Sequence, residues 1–191
     1  MGAQEDAERV EPDTLEGWSR WLADNHGRGY GVWLVQRRRA AERAWDYEES
    51  VLEALRFGWV DSTQRTLDED RSMMWFAPRR PQSLWTQPNR DRIARLEEAG
   101  LLEPAGRAAV DAARANGNWS LLEPAERGEV PDDLAAALAA RPEALRQWDA
   151  FPPSARKAAL VWVVTARRPA TRDRRVAAIV DDAADGVRVP G

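Results

Sequence analysis

Leu15, Trp18, Trp21 and Leu22 recur at three- and four-residue steps and stop short of Gly27. That spacing predicts an amphipathic helix, opened by Asp13 and Glu16 as a capping-box variant. The run GVWLV at 31–35 is short, apolar and β-prone, and the QRRR that follows marks a strand leaving the core. Asp46 with Glu49 repeats the cap signature ahead of Val51, Leu52 and Leu55, and Gly58 is the expected stop. WVDSTQRT at 59–66 and SMMWFA at 72–77 flank the polar LDEDR, the pattern of a hairpin. Pro78 and Pro81 end the pairing. Pro88 then starts a helix carrying Ile93 and Leu96 to Gly100, and Pro104 starts another that ends near Gly117.

Residues 118–133 hold Gly128, two prolines and several carboxylates and read as a linker. Beyond it the pattern is wholly helical. Leu134 and Leu138 mark one helix, and Leu145 and Trp148 a second after Pro142. Ser154 caps a third with Leu160, Val163 and Val164, and Val176, Ile179, Val180 and Ala183 stripe a fourth. The expected fold class is α+β: a small antiparallel sheet of about three strands with packed helices, then a helical C-terminal region. The expected division is a tail at 1–14, an α+β region at 15–117, the linker at 118–133, the helical region at 134–186 and a tail at 187–191.

Composition narrows the chemistry. With 191 residues and 43% apolar content the chain can bury a real core. It has no cysteine and a single histidine, His26, which excludes disulfides, thiolate chemistry and the usual zinc ligand sets; no metal or cofactor is expected. The first residues show no signal-peptide core and no run approaches membrane-spanning length, so the expectation is a cytoplasmic protein without a membrane span. A net charge of -4 argues against broad nucleic-acid binding. Basic charge is almost all arginine, Lys157 being the one lysine, and ten tryptophans are spread from Trp18 to Trp162.

The segment MMWFAPRRPQSLW, 73–85, concentrates the candidate chemistry. Prolines on both sides hold Arg79 and Arg80, so the pair either clamps an anion or braces the hairpin through Asp61, Asp68 or Asp70. Trp75 and Trp85 either stack on a guanidinium or ligand or pack in the core. His26 is the one side chain that titrates near neutrality without a large perturbation; it either caps a helix end or works as an acid/base with Asp61. RRPATRDRR, 167–175, carries five arginines against one aspartate, on a solvated helix face or against phosphates. No GxSxG, P-loop, dinucleotide or HExxH motif is present.

FGWVD at 57–61, PRRPQSLW at 78–85 with Asn89 and Arg92 following, WLADNHGRGYGVWL, and SARKAALVWVVTARRPATRDRRVAAIV resemble segments of the YdeI/OmpD-associated, or bacteriocin-protection, family. The likeness runs over roughly residues 15 to 182. The family pattern meets Asn25, His26, Trp59, Asp61, Arg79, Ser83, Trp85 and Asn89. The resemblance implies an α+β cytoplasmic bacterial protein associated with protection against bacteriocins or stress, with no established catalytic residue. Together the readings give a non-enzymatic protein that binds a small anionic or aromatic molecule. Arg79 and Arg80 orient the anion, Trp59, Trp75 and Trp85 stack, and Asn25, His26, Ser83 and Asn89 hydrogen-bond. The alternatives are a small-molecule enzyme using His26 and Asp61 in the same expected cleft, between the hairpin and the helices, and a nucleic-acid or protein interaction module using the 167–175 arginines.

Overall fold

The computed structural model describes residue 4 and residues 6–38 and 45–188. The expected tails at 1–14 and 187–191 lie partly outside the described residues, as does Arg39 of the QRRR run. The chain forms two compact units, one combining Met1–Ser83 with Pro88–Asn116, the other Leu84–Gln87 with Gly117–Gly191.

The first unit runs β1 (Arg9–Val10), α1 (Leu15–Asn25), β2 (Val32–Arg37), α2 (Tyr47–Arg56), β3 (Trp59–Thr66), β4 (Arg71–Pro78), α3 (Gln87–Glu98) and α4 (Pro104–Ala115). Its sheet has the order β1-β2-β4-β3. The three expected strands pair antiparallel. The fourth, β1, joins parallel to β2 through Arg9 and Val10, and two residues are too few to show a period in sequence. The fold class is α+β, as the pattern predicts.

Alternation along the strands separates the aromatic residues. Trp33 faces Trp75 and Val35 faces Met73 across the β2–β4 ladder, so these four share one side of the sheet and form a buried cluster. The Trp33 and Trp75 rings meet edge-on at 5.2 Å. Phe76, one residue on, points to the other side, where Trp18 of α1 meets it at 5.3 Å. Trp18 stacks on Trp21, and its indole N–H donates to the Ser50 carbonyl at 3.2 Å. Helix α1 is thereby fixed to the Phe76 side and to α2.

The helix caps show where local chemistry decides boundaries. Asp46 and Glu49 form the predicted capping box at α2. At α1 the cap is Thr14, whose hydroxyl accepts from the Gly17 N–H at 3.1 Å, one residue later than the expected Asp13. Gly58 ends α2 with φ +77, a left-handed conformation that glycine adopts without steric cost.

In the second unit a short α5 (Glu123–Glu126) precedes α6 (Asp132–Ala139), α7 (Pro142–Ala150), α8 (Pro153–Val164) and α9 (Pro169–Ala184). Leu134, Leu138, Trp148, Leu160, Val163 and Ile179 centre its core. Two expectations shift. The N-cap of α8 is Pro152, not Ser154, and α7 buries Ala144 with Trp148 while Leu145 is turned outward. Trp85 belongs to this unit and packs on Trp119 at 4.9 Å.

Candidate functional site

Polar and charged side chains of the first unit converge where the start of α2 meets β3 and α3. Tyr47 is the first residue of α2 after its Asp46 cap. Its hydroxyl donates to Asp61 Oδ2 at 2.7 Å. Asp61 is the last paired residue before a register shift in the β3–β4 ladder, a place where bulged strands re-aim side chains. From the first turns of α3, Arg92 Nη2 donates to Glu48 Oε2 at 2.6 Å and its Nη1 to Asn89 Oδ1 at 2.8 Å. Arg95 adds a bond to the other oxygen of Glu48 at 2.9 Å. Arg92 also lies over the Tyr47 ring at 5.9 Å.

Arg79 follows β4, and its backbone N–H extends the ladder by donating to Gly58 O at 2.9 Å. Its Nε and Nη2 atoms are shielded from solvent. Burial pushes the guanidinium down to about 10, with the negative charge of Asp61 pulling in the other direction. It therefore remains charged at neutral pH. Tyr47 is pushed up to about 12, first by burial and then by its hydrogen bond to Asp61 and that carboxylate's charge. Hydrogen bonding from Arg92 holds Glu48 below its ordinary value, and the same bond raises Arg92. One tyrosine and one arginine displaced around a single aspartate is an arrangement that recurs at functional sites.

Other residues singled out in the sequence lie elsewhere or do other work. Trp59 is fully buried, its ring edge-on to Trp21 at 5.7 Å and its N–H donating to the His26 carbonyl. Trp75 sits in the cluster with Trp33 on the side of the sheet away from Phe76, and Trp85 is in the second unit. Each of the three is buried in a core, and Trp59 and Trp75 lie on opposite sides of the sheet. Ser83 closes a turn: its N–H donates to Arg80 O at 2.8 Å and its hydroxyl accepts from Arg80 N–H at 3.0 Å. Arg80 itself is exposed. Asn25 donates to the Trp21 carbonyl at 2.7 Å.

The expected acid/base residues are committed to different partners. His26 Nδ1 lies 2.8 Å from the Ala23 carbonyl, which can only accept, so the ring caps the end of α1. Asp61 is bonded to Tyr47 instead. At the hairpin, Asp68 is taken by Arg71 at 2.7 Å, with Arg71 also reaching Glu11, so that carboxylate is braced by its own turn. In the second unit, Arg167 is bonded to Asn118, Arg172 to Asp133 at 2.6 Å, and Arg175 to the Trp162 carbonyl and the Thr165 hydroxyl. Three of the five arginines of 167–175 thus serve the fold.

Residues 10–109, just over half of the chain, match the family model described as Domain of unknown function (DUF8412). The chain belongs to that family. Tyr47, Asp61, Arg79, Asn89 and Arg92 all lie within the DUF8412 match. A second model, described as Bacteriocin-protection, YdeI or OmpD-Associated, matches residues 128–186, which covers α6 to α9. The resemblance to the YdeI/OmpD-associated family is therefore met in the helical unit, whereas FGWVD and PRRPQSLW fall inside the DUF8412 region. No curated protein and no solved structure matches the chain. Among the described residues no helix is long and apolar enough to cross a membrane.

Tyr47, Glu48 and Arg95 are the members of the cluster that the sequence reading missed. A tyrosine after a helix cap gives no local sign that its hydroxyl reaches an aspartate on β3. The one usable signal is the capping box itself, which fixes where the first turn of α2 begins.

Proposed function

We propose that this is a bacteriocin-protection or stress-associated protein of the cytoplasm that acts by binding a small anion at the Arg79 cluster of its α+β unit. The observation that carries the reading is the convergence of Tyr47, Asp61 and Arg79, with the tyrosine and the arginine displaced from their ordinary values in one place. A guanidinium shielded from water holds an anion more strongly than a surface one, because the ion pair is less screened. Its planar donor fork suits a carboxylate or phosphate. The Tyr47 hydroxyl occupies one oxygen of Asp61 and so reduces the repulsion a second anion meets there. A tyrosine titrating at about 12 is a hydrogen-bond donor at neutral pH and a poor base, which favours binding over acid/base catalysis. With the indoles in the core, the ligand is defined by its charge more than by an aromatic body.

A melting-temperature series with benzoate, inorganic phosphate and neutral benzyl alcohol tests this. The anions should raise the melting temperature saturably and benzyl alcohol should not; Arg79→Gln, compared with its own ligand-free baseline, should lose the rise. An equal rise in Arg79→Gln would show the site to be misplaced. For the protective role, sensitive cells expressing the wild-type protein should survive bacteriocin challenge better than cells expressing Arg79→Gln. Equal survival would separate protection from this site.

A further inference from the structure

The second unit holds a cleft of about 440 Å³ between α5, α7 and α8 that the proposed function does not use. We propose that it is a separate binding site for a small amphipathic carboxylate. Trp148 of α7 and Leu160 of α8 line its floor, Val130 stands on its rim, and Ser154, Arg156 and Lys157 line it from the start of α8. Its volume lies within the range of small-molecule pockets, and an apolar floor with a few converging polar groups is the usual composition of such pockets.

The charges around the cleft are not equivalent. Arg127 is neutralised by Glu129 at 2.6 Å and Glu123 at 3.6 Å. Glu126 has one oxygen occupied by the Gln87 N–H at 2.8 Å. Among the described residues Arg156 and Lys157 form no ion pair, and Lys157, the one lysine in the chain, is exposed. Two cations and a hydroxyl at the mouth suit one carboxylate head group, and Trp148, Leu160 and Val130 suit a short acyl or aryl body. An extended polyanion would meet Glu126 and gain nothing from the floor. Val130, Trp148, Ser154, Arg156, Lys157 and Leu160 lie within the stretch similar to the bacteriocin-protection family, whereas Glu126 and Arg127 precede it.

Calorimetric titration with octanoate, octylamine and octanol tests the assignment on the full chain. In the Arg79→Gln background, which removes the anion site of the first unit, octanoate should bind saturably at one equivalent, octanol more weakly, and octylamine not at all. Arg156→Gln and Lys157→Gln should each weaken octanoate by about tenfold, the loss of one charge-assisted contact. Arg79→Gln should leave octanoate affinity at this cleft unchanged, which separates the two sites. Octanoate affinity unaltered in Arg156→Gln and Lys157→Gln, octylamine bound as tightly, or no saturable octanoate binding would overturn the proposal. Should the Arg156 variant fail to fold by circular dichroism, Lys157→Gln decides alone, since that side chain is exposed.

Discussion

Tyr47→Phe removes one hydroxyl and leaves the ring beneath Arg92. The lost bond is a charge-assisted one to Asp61 at 2.7 Å, a class that contributes about 1.5–3 kcal/mol when water is excluded. Tyr47 is 42% exposed, so solvent replaces part of that bond and the expected loss is about 1 kcal/mol. In a chain of this size that lowers the melting temperature by about 3 °C. The loss depends on pH with a definite sign. Tyr47 ionises near 10.0 when unfolded and near about 12 when folded. Its contribution is therefore fully present below about pH 10 and is lost as pH rises through the folded value. The full conversion is about 2.7 kcal/mol, and the same solvent screening brings it to about 1 kcal/mol. Arg79 runs the other way, since burial holds its folded value, about 10, below the ordinary arginine range, and that burial cost fades with rising pH. Both proteins keep Arg79, so their difference isolates Tyr47. Urea denaturation of wild type and Tyr47→Phe should differ at about pH 8 and converge towards about pH 12. Because the chain has only two tyrosines, difference titration of tyrosinate absorbance gives the Tyr47 curve directly. A stability difference constant across this range, or a Tyr47 midpoint at the unfolded value, would show that the bond to Asp61 does not hold the Tyr47 proton.

Three further outcomes follow from the packing. Gly106→Ala in α4 places a Cβ 2.2 Å from the Arg56 carbonyl oxygen and 2.8 Å from that of Leu55, so α4 must move off α2; the expected cost is about 3 kcal/mol by denaturation, and a neutral result would show that the helices give way freely. Glu48→Gln should destabilise at neutral pH by loosening Arg92 and Arg95; because the Glu48 carboxyl is held below 4.5, the difference from wild type should persist down to that region and vanish as pH falls through the folded value, and a difference growing in acid would contradict the ion pairs. Arg175→Ala removes donors to the Trp162 carbonyl and the Thr165 hydroxyl and a guanidinium 5.2 Å over the Trp162 ring, so amide exchange at the end of α8 should accelerate by about tenfold while that of α6 stays unchanged.

The fold was largely legible because its elements carry their own punctuation. Asp46 with Glu49, Gly58, Pro104 and Pro142 each act within one turn of where they stand, and the hairpin turns at the polar LDEDR. What escaped was non-local or too short to have a period. Strand β1 exists through its pairing with Trp33 and Leu34 of β2, more than twenty residues away. The tryptophans read as a ligand surface because composition gives their number and not their side of the sheet; one step along β4 puts Trp75 and Phe76 on opposite faces. The site was half legible in the same sense. Asp61, Arg79, Asn89 and Arg92 stood out in the motif segments, but the Tyr47 hydroxyl that orients Asp61 comes from a helix start fourteen residues earlier in the chain.

The claim that Arg79 is the centre of an anion site is met most directly by following its Nε–H resonance in ¹⁵N-arginine-labelled protein during titration with benzoate. A saturable shift of the Arg79 signal is expected, assigned by its absence in Arg79→Gln, with Tyr47→Phe weakening the saturation. An Arg79 signal that stays in place while benzoate moves the resonances of exposed arginines would contradict it.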